Sequence, residues 1–445
     1  MADRDSIFAL STPPGTGAIA VLRLSGPGVG DALEELLSGP LPPPRRFSQR
    51  ALRAPDGELL DRGVVVWLPA EAGSYTGEDM AELQVHGGLA VVRSLLSLLA
   101  SLPAFRPADP GEFTRRAFEA GRLDLVAAEA VADLVAAETA RQRRQALAGT
   151  EALTGRLAAW EGALVAVSAR LEAAIDFPDE DLPADLLARV RAETAGLRDA
   201  LLAASYEVAL GERLRQGFEI ALVGAPNAGK SSLLNALARR EAAIVHETAG
   251  TTRDVVEVRL DLAGFAVTLL DTAGLRAAAA VDPVEQEGMR RARARAAGAD
   301  LVVVLFDSEI LPVMDHETLD LVDDRSLAVL SKCDLEAGGA MAPGGLRALR
   351  VSAKTGEGLE ALQQRLAERV TDLCSGQGDA LFNRERHRAA LAACAEALER
   401  ALAAREPALM AEDLRVARSA LGRLVGRIDV ERLLDSVFRE FCIGK

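Results

Sequence analysis

Gly224-Ala225-Pro226-Asn227-Ala228-Gly229-Lys230-Ser231-Ser232 matches G-x-x-x-x-G-K-[ST], the phosphate-binding loop. The apolar run Phe218-Glu219-Ile220-Ala221-Leu222-Val223 predicts a strand leading into it. Behind it, Ser232-Leu233-Leu234-Asn235-Ala236-Leu237 opens a helix with leucines at helical spacing. A chance glycine-rich turn would lack that strand–loop–helix context. Glycines let backbone N–H groups turn inward around phosphate oxygens, and the helix N-terminus adds partial positive charge. In this pattern Lys230 reaches the β- and γ-phosphates and the Ser231 hydroxyl holds Mg²⁺.

Downstream, further parts of a GTPase follow in order. Gly250-Thr251-Thr252-Arg253-Asp254 offers Thr252 to complete the Mg²⁺ shell. Strands are predicted around Val255–Asp261 and Phe265–Leu270, the second delivering Asp271-Thr272-Ala273-Gly274. Asp271 can hold Mg²⁺ through water, and the Gly274 N–H can sense the γ-phosphate. Leu301 to Phe306 reads as a fully buried strand. After further strands come Ser331-Lys332-Cys333-Asp334 and Val351-Ser352-Ala353-Lys354. Lys332 and Asp334 resemble the guanine-reading N-K-x-D motif, in which a carboxylate accepts from N1–H and the 2-amino group that adenine lacks. Lys332 would lie along the base, and the Ser352-Ala353-Lys354 backbone would touch the guanine oxygen. Ser331 departs from the motif's asparagine, since one short hydroxyl cannot both bond the base and brace the phosphate loop. Leu275, after the D-x-x-G glycine, replaces the glutamine with which many small GTPases orient water. Charge and water positioning must therefore come from elsewhere.

Working outward, residues 1–118 alternate strand-like and helical runs, an α+β pattern. Ala18 to Leu24, Val64 to Leu68 and Ala81 to Val85 predict strands, and Leu89 to Leu102 a helix. Residues 119–214 change to long helices, with Val126, Ala130, Leu134 and Ala137 marking one face. Ile175-Asp176-Phe177-Pro178-Asp179 interrupts them. Nucleotide-binding sequence fills 215–376, and helix returns over 377–445. The simplest reading is a helical domain interrupted by an inserted Ras-like α/β P-loop G domain, its two helical parts packing together because neither can bury its apolar face alone.

At 445 residues the chain has room for two to four domains. No apolar run approaches the roughly 18 residues of a membrane span. The start, Met1-Ala2-Asp3-Arg4-Asp5, has no basic segment followed by an apolar one, so a cytoplasmic location is expected. Cys333, Cys374, Cys394 and Cys442 are scattered, as are four histidines, suggesting neither disulfides nor a transition-metal site. A net charge of −15 argues against a general affinity for nucleic acid. The densest basic run, Arg290, Arg291, Arg293 and Arg295, reads as one exposed helix face.

The chain resembles the MnmE (TrmE) family of tRNA modification GTPases from end to end. The matching segments include Ala18 to Gly26, Ser74-Tyr75-Thr76-Gly77-Glu78-Asp79, His86-Gly87-Gly88, Gly111 to Phe118, Leu123-Asp124-Leu125, Ile175-Asp176-Phe177-Pro178 and the GTPase motifs. A P-loop alone is generic, whereas the terminal Phe441-Cys442-Ile443-Gly444-Lys445 together with these N-terminal segments is specific. The resemblance implies a tetrahydrofolate-binding and dimerisation domain over 1–118, and a homodimer working with the FAD-containing MnmG (GidA). Together they add an aminomethyl-type (carboxymethylaminomethyl) group to C5 of the wobble uridine of certain tRNAs, with a 5-formyl- or methylene-tetrahydrofolate as carbon source. It implies GTP contacts at Asn227, Ala228, Gly229, Lys230, Ser231 and Ser232. Others fall at His246, Glu247, Thr248, Ala249, Gly250, Thr251, Thr252, Asp271, Thr272, Ala273, Gly274, Lys332, Asp334, Ser352, Ala353 and Lys354. K⁺ would be bound by Asn227, His246, Thr248 and Thr251, with Glu285, Lys230 and Asn227 as catalytic residues and Glu285 polarising water. His246 stands where an oxygen donor is common. Folate contacts carried over by position are Arg23, Glu82, Arg122 and Lys445, Arg122 replacing the usual lysine, and Cys442 is a candidate thiol.

Two other readings use the same motifs. A GTPase switch in ribosome assembly or translation would usually add a basic RNA-binding domain, which this charge balance disfavours. A scaffold that only binds nucleotide has no need of Lys230, Ser231, Thr252 and Asp271 together.

Overall fold

A computed structural model describes residues 5–177, 183, 185–225, 227–239, 257–271, 297–309, 316–320, 322–335, 347–374, 380–426, 434, 437–439, 441 and 443–444. The first sheet is built from β1 (Ser6–Leu10), β2 (Ile19–Ser25), β3 (Ser48–Arg53), β4 (Leu59–Leu68), β5 (Met80–His86) and β6 (Phe105–Pro107). Its order is β3-β4-β5-β2-β1-β6, antiparallel except where β6 joins β1. Alternation along β2 sends Leu22 and Leu24 into a core under α1 (Val29–Leu37) and α2 (Leu89–Ser101), and Arg23 to the opposite face. On that face Phe113 of α3 (Glu112–Glu119) is fully buried beside Ile7, Ala9 and Met80.

The second sheet holds β7 (Phe218–Gly224), β8 (Glu257–Leu262), β9 (Phe265–Asp271), β10 (Leu301–Asp307), β11 (Ser326–Ser331) and β12 (Ala348–Arg350). Its order is β12-β11-β10-β7-β9-β8, parallel except for β8. Every residue of β10 is buried, because both faces are covered. Ile220, Leu222, Val303 and Leu305 meet α7 (Lys230–Ala238) and α8 (Leu359–Leu373) on one face; Ala221, Val223, Val302 and Val304 fill the other. The chain turns to one side of β7 for β9 and to the other for β10, so the crevice past the strand ends at β7 and β10 is where such sheets bind ligands.

Long helices make up the rest: α4 (Leu125–Ala136), α5 (Ala140–Asp176), α6 (Leu186–Gln216), α9 (Glu385–Ala403) and α10 (Pro407–Val425). Helices before and after the second sheet pack together, as expected. Arg191 on α6 forks its guanidinium onto the carbonyls of Leu402 and Ala404, capping the end of α9. The α4 face differs from the sequence expectation. Leu125, Val126, Ala128 and Glu129 are buried and Leu134 is 38% exposed. A helix apolar nearly all round has no intrinsic inner face, and the apolar cluster of Leu434, Val437, Phe438 and Phe441 selects Leu125 and Ala128. The chain divides into two compact units, 1–132 with 153–198 and 393–445, and 133–152 with 199–392.

Candidate functional site

The described candidates for the nucleotide site lie at the ends of strands of the second sheet. Gly229, at φ +90°, turns the loop into α7, which begins at Lys230. Lys230 is 6% exposed, and its Nζ donates to the carbonyls of Gly224 at 2.7 Å and Ala225 at 2.8 Å. Pairing of β7 with β9 sets Leu222 beside Asp271 and brings that carboxylate to the start of α7. Ser231 Oγ donates to Asp271 Oδ2 at 2.6 Å. A hydroxyl and a buried carboxylate at a helix N-terminus are the hard oxygen donors that suit Mg²⁺.

Two parallel strand ends assemble the candidate base site. The Val351 N–H donates to Leu330 O, and the Cys333 N–H to Val351 O, bringing the loops after β11 and β12 together. Asp334 Oδ1 accepts from Ser352 Oγ at 2.6 Å. Lys332, at φ +57°, places Nζ 2.6 Å from Asp307 Oδ2 and 3.7 Å from Glu309. The hydrogen bond to Asp307 raises the Lys332 pKa despite the opposing effect of partial burial. Ser331 Oγ reaches the phosphate loop, donating to Ala228 O at 2.6 Å. Asp307 and Ser308 escaped sequence reading. The available signal was an unbroken apolar strand ending in Asp-Ser at the ligand-binding edge of the sheet.

Asn227, Ala228, Ser232, Ala353 and Lys354 border these groups in the chain; Asn227 is exposed at φ +65°. His246, Glu247, Thr248, Ala249, Gly250, Thr251, Thr252, Thr272, Ala273, Gly274 and Glu285 lie outside the described residues, as do Leu275, Arg253 and Arg276.

A second cluster forms on the first sheet. Antiparallel register sets Arg23 opposite Glu82, whose Oε1 accepts from Arg23 Nε at 3.1 Å and Nη2 at 2.8 Å. Arg23 Nη1 donates to the carbonyl of Gly444 at 3.2 Å, as does Ser11 Oγ. Gly444 has φ +92°, and a Cβ there would sit 2.9 Å from Ser11 Cα, so the tail's seat admits only glycine. The Phe113 ring lies 5.9 Å below the guanidinium. Phe113 is carried by α3, which Arg116 ties to Glu78 and the Asp5 carbonyl. Burial would push the Glu112 pKa up, but Arg106, the Asp109 N–H and Arg116 outweigh it and hold it at about 2. Arg122 lies beside Gly77. Cys442 and Lys445 are outside the described residues.

The profile of the MnmE helical domain matches residues 125–442, and that of the GTP-binding protein TrmE N-terminus matches 6–122. The tRNA modification GTPase MnmE of Paramagnetospirillum magneticum is 51% identical over 444 residues, covering 99% of this chain and 100% of that protein. Its counterpart in Rhodospirillum rubrum is 49% identical over 456 residues, covering 99% of each. Among solved structures, Era of Aquifex aeolicus is 23% identical at TM-score 0.28, covering 42% of this chain and 68% of that one. With half its residues shared along the full length of such relatives, the chain belongs to the MnmE (TrmE) family of tRNA modification GTPases, enzymes that hydrolyse GTP.

Proposed function

We propose that this chain is a cytoplasmic, K⁺-dependent GTPase whose cycle drives modification of the wobble uridine of tRNA. Acting as a homodimer with the FAD-dependent MnmG, it adds an aminomethyl-type group to C5 of that base at position 34, using a tetrahydrofolate derivative. The observation that carries this reading is the pairing, in one chain, of a GTPase site with a separate Arg23–Glu82 cluster onto which Gly444 docks.

At the nucleotide site, Lys230 binds the β- and γ-phosphates, its ammonium already held at the loop by two carbonyls. Ser231 and Thr252 would hold Mg²⁺, with Asp271 reaching it through water, and the bound ion would neutralise charge on the phosphates. Asp334 accepts from guanine N1–H and the 2-amino group, oriented by Ser352. Leu275 cannot orient water, so Glu285 polarises it, and Asn227, Thr248 and Thr251, with the main-chain carbonyl of His246, offer oxygens for K⁺. At the second site Arg23, Glu82, Arg122 and Lys445 bind the folate, with Cys442 as a candidate thiol.

Mass spectrometry of wobble uridines tests this in a deletion strain carrying the wild-type chain, Arg23→Ala or Lys230→Ala. Modification is expected with the wild type and with neither variant. Purified Arg23→Ala should keep GTP turnover and lose folate binding. Normal modification with both variants would overturn the reading.

A further inference from the structure

Ser331 raises a question of proton supply. A hydroxyl has one hydrogen to donate, whereas the asparagine usual at this position has two on its amide. The Ser331 proton goes to Ala228 O at 2.6 Å, with Phe306 O a longer acceptor at 3.2 Å. Ser331 is itself seated from behind. Its carbonyl accepts from Ser308 Oγ at 2.7 Å and from the Ser308 N–H at 3.1 Å. Ser331 and Ser308 are 7% and 5% exposed, and Ala228 is fully buried, so water cannot readily replace these bonds. The result is a continuous tie from the end of β10, through the end of β11, to the middle of the phosphate loop.

We propose that Ser331, seated by Ser308, is a positioning residue that holds the phosphate loop and so sets how long nucleotide stays bound. It contributes no donor to the base, and discrimination within this motif falls to Asp334. The proposal rests on the guanine-site reading of Lys332 to Asp334 only in its second half. The brace on Ala228 acts on any nucleotide with a diphosphate.

Stopped-flow release of fluorescent nucleotides from the full chain in Mg²⁺ tests both halves. Ser331→Ala orphans a buried carbonyl, and release of GDP and GTP should each quicken about tenfold. Its affinity ratio between GTP and 7-deaza-GTP, which lacks the N7 acceptor, should match the wild type. Ser308→Ala, one bond further from the loop, should quicken release about threefold and carries the test if the first variant does not fold. Wild-type release rates in the folded serine variants would overturn the brace. A changed 7-deaza ratio in Ser331→Ala would overturn the claim that the residue gives nothing to the base. Asp334→Asn, measured alongside, separates the two readings. If it leaves the preference for GTP over XTP intact, the guanine site is misplaced, while the release rates still report on Ser331.

Discussion

At the scale of single residues, Asp334 and Glu112 show how a neighbour decides what a carboxylate does. Asp334 is oriented by the Ser352 hydroxyl. Asp334→Asn removes a charge-assisted acceptor and should weaken GTP binding by about 2–4 kcal/mol while strengthening xanthine nucleotide binding, read by titration calorimetry. Glu112 is structural, bridging Arg106 and Arg116. Its pKa falls from 4.5 to about 2 on folding, so its contribution is complete above pH 4.5 and is lost as pH drops toward 2. Glu112→Gln should therefore lower the melting temperature at pH 7, costing about 2 kcal/mol, with the gap to wild type closing below pH 4.5. Neither role was legible from composition. Asp334 was found through its motif, whereas Glu112 became visible only when α3 folded back onto the sheet.

At the scale of elements, strands and helices were largely legible because their cause is local. The strands Phe218–Gly224 and Leu301–Asp307 form around the apolar runs 220–223 and 301–306, and Leu89–Ser101 forms a helix between Gly88 and Pro103. The inner face of α4 was not legible, since its own residues do not distinguish one. Close approach between elements was equally hidden. A Cβ at Gly211 on α6 would lie 2.1 Å from the Phe382 carbonyl, a backbone atom that cannot swing away. Gly211→Ala should cost about 3 kcal/mol in urea unfolding, far beyond its small gain in helix propensity. The loop holding Asn227 gives a functional test at this scale. Exchanging KCl for NaCl at equal ionic strength should cut GTP hydrolysis by about 10³-fold if K⁺ supplies the charge an arginine finger supplies elsewhere. Equal rates in the two salts would turn attention to Arg253 and Arg276.

At the scale of the whole molecule, the C-terminal tail docks on the first sheet, where the Gly444 carbonyl accepts from Arg23 and Ser11. Removing residues 442–445 should leave GTP turnover nearly intact, weaken folate binding and abolish wobble-uridine modification, assayed by mass spectrometry of tRNA from a complemented strain. Among the described residues no helix is long and apolar enough to cross a membrane. The sequence by itself determined the P-loop class, the order of the GTPase motifs, the helical flanks and the family, because each is read from short stretches whose pattern does not depend on what they contact. Tertiary structure alone decided the rest. Ser331 meets Ala228 across 103 residues, and the tail, which the resemblance places beside Arg23, meets it through the Gly444 carbonyl across 421. Such contacts follow from strand register and from which faces find partners, and no local spacing encodes either.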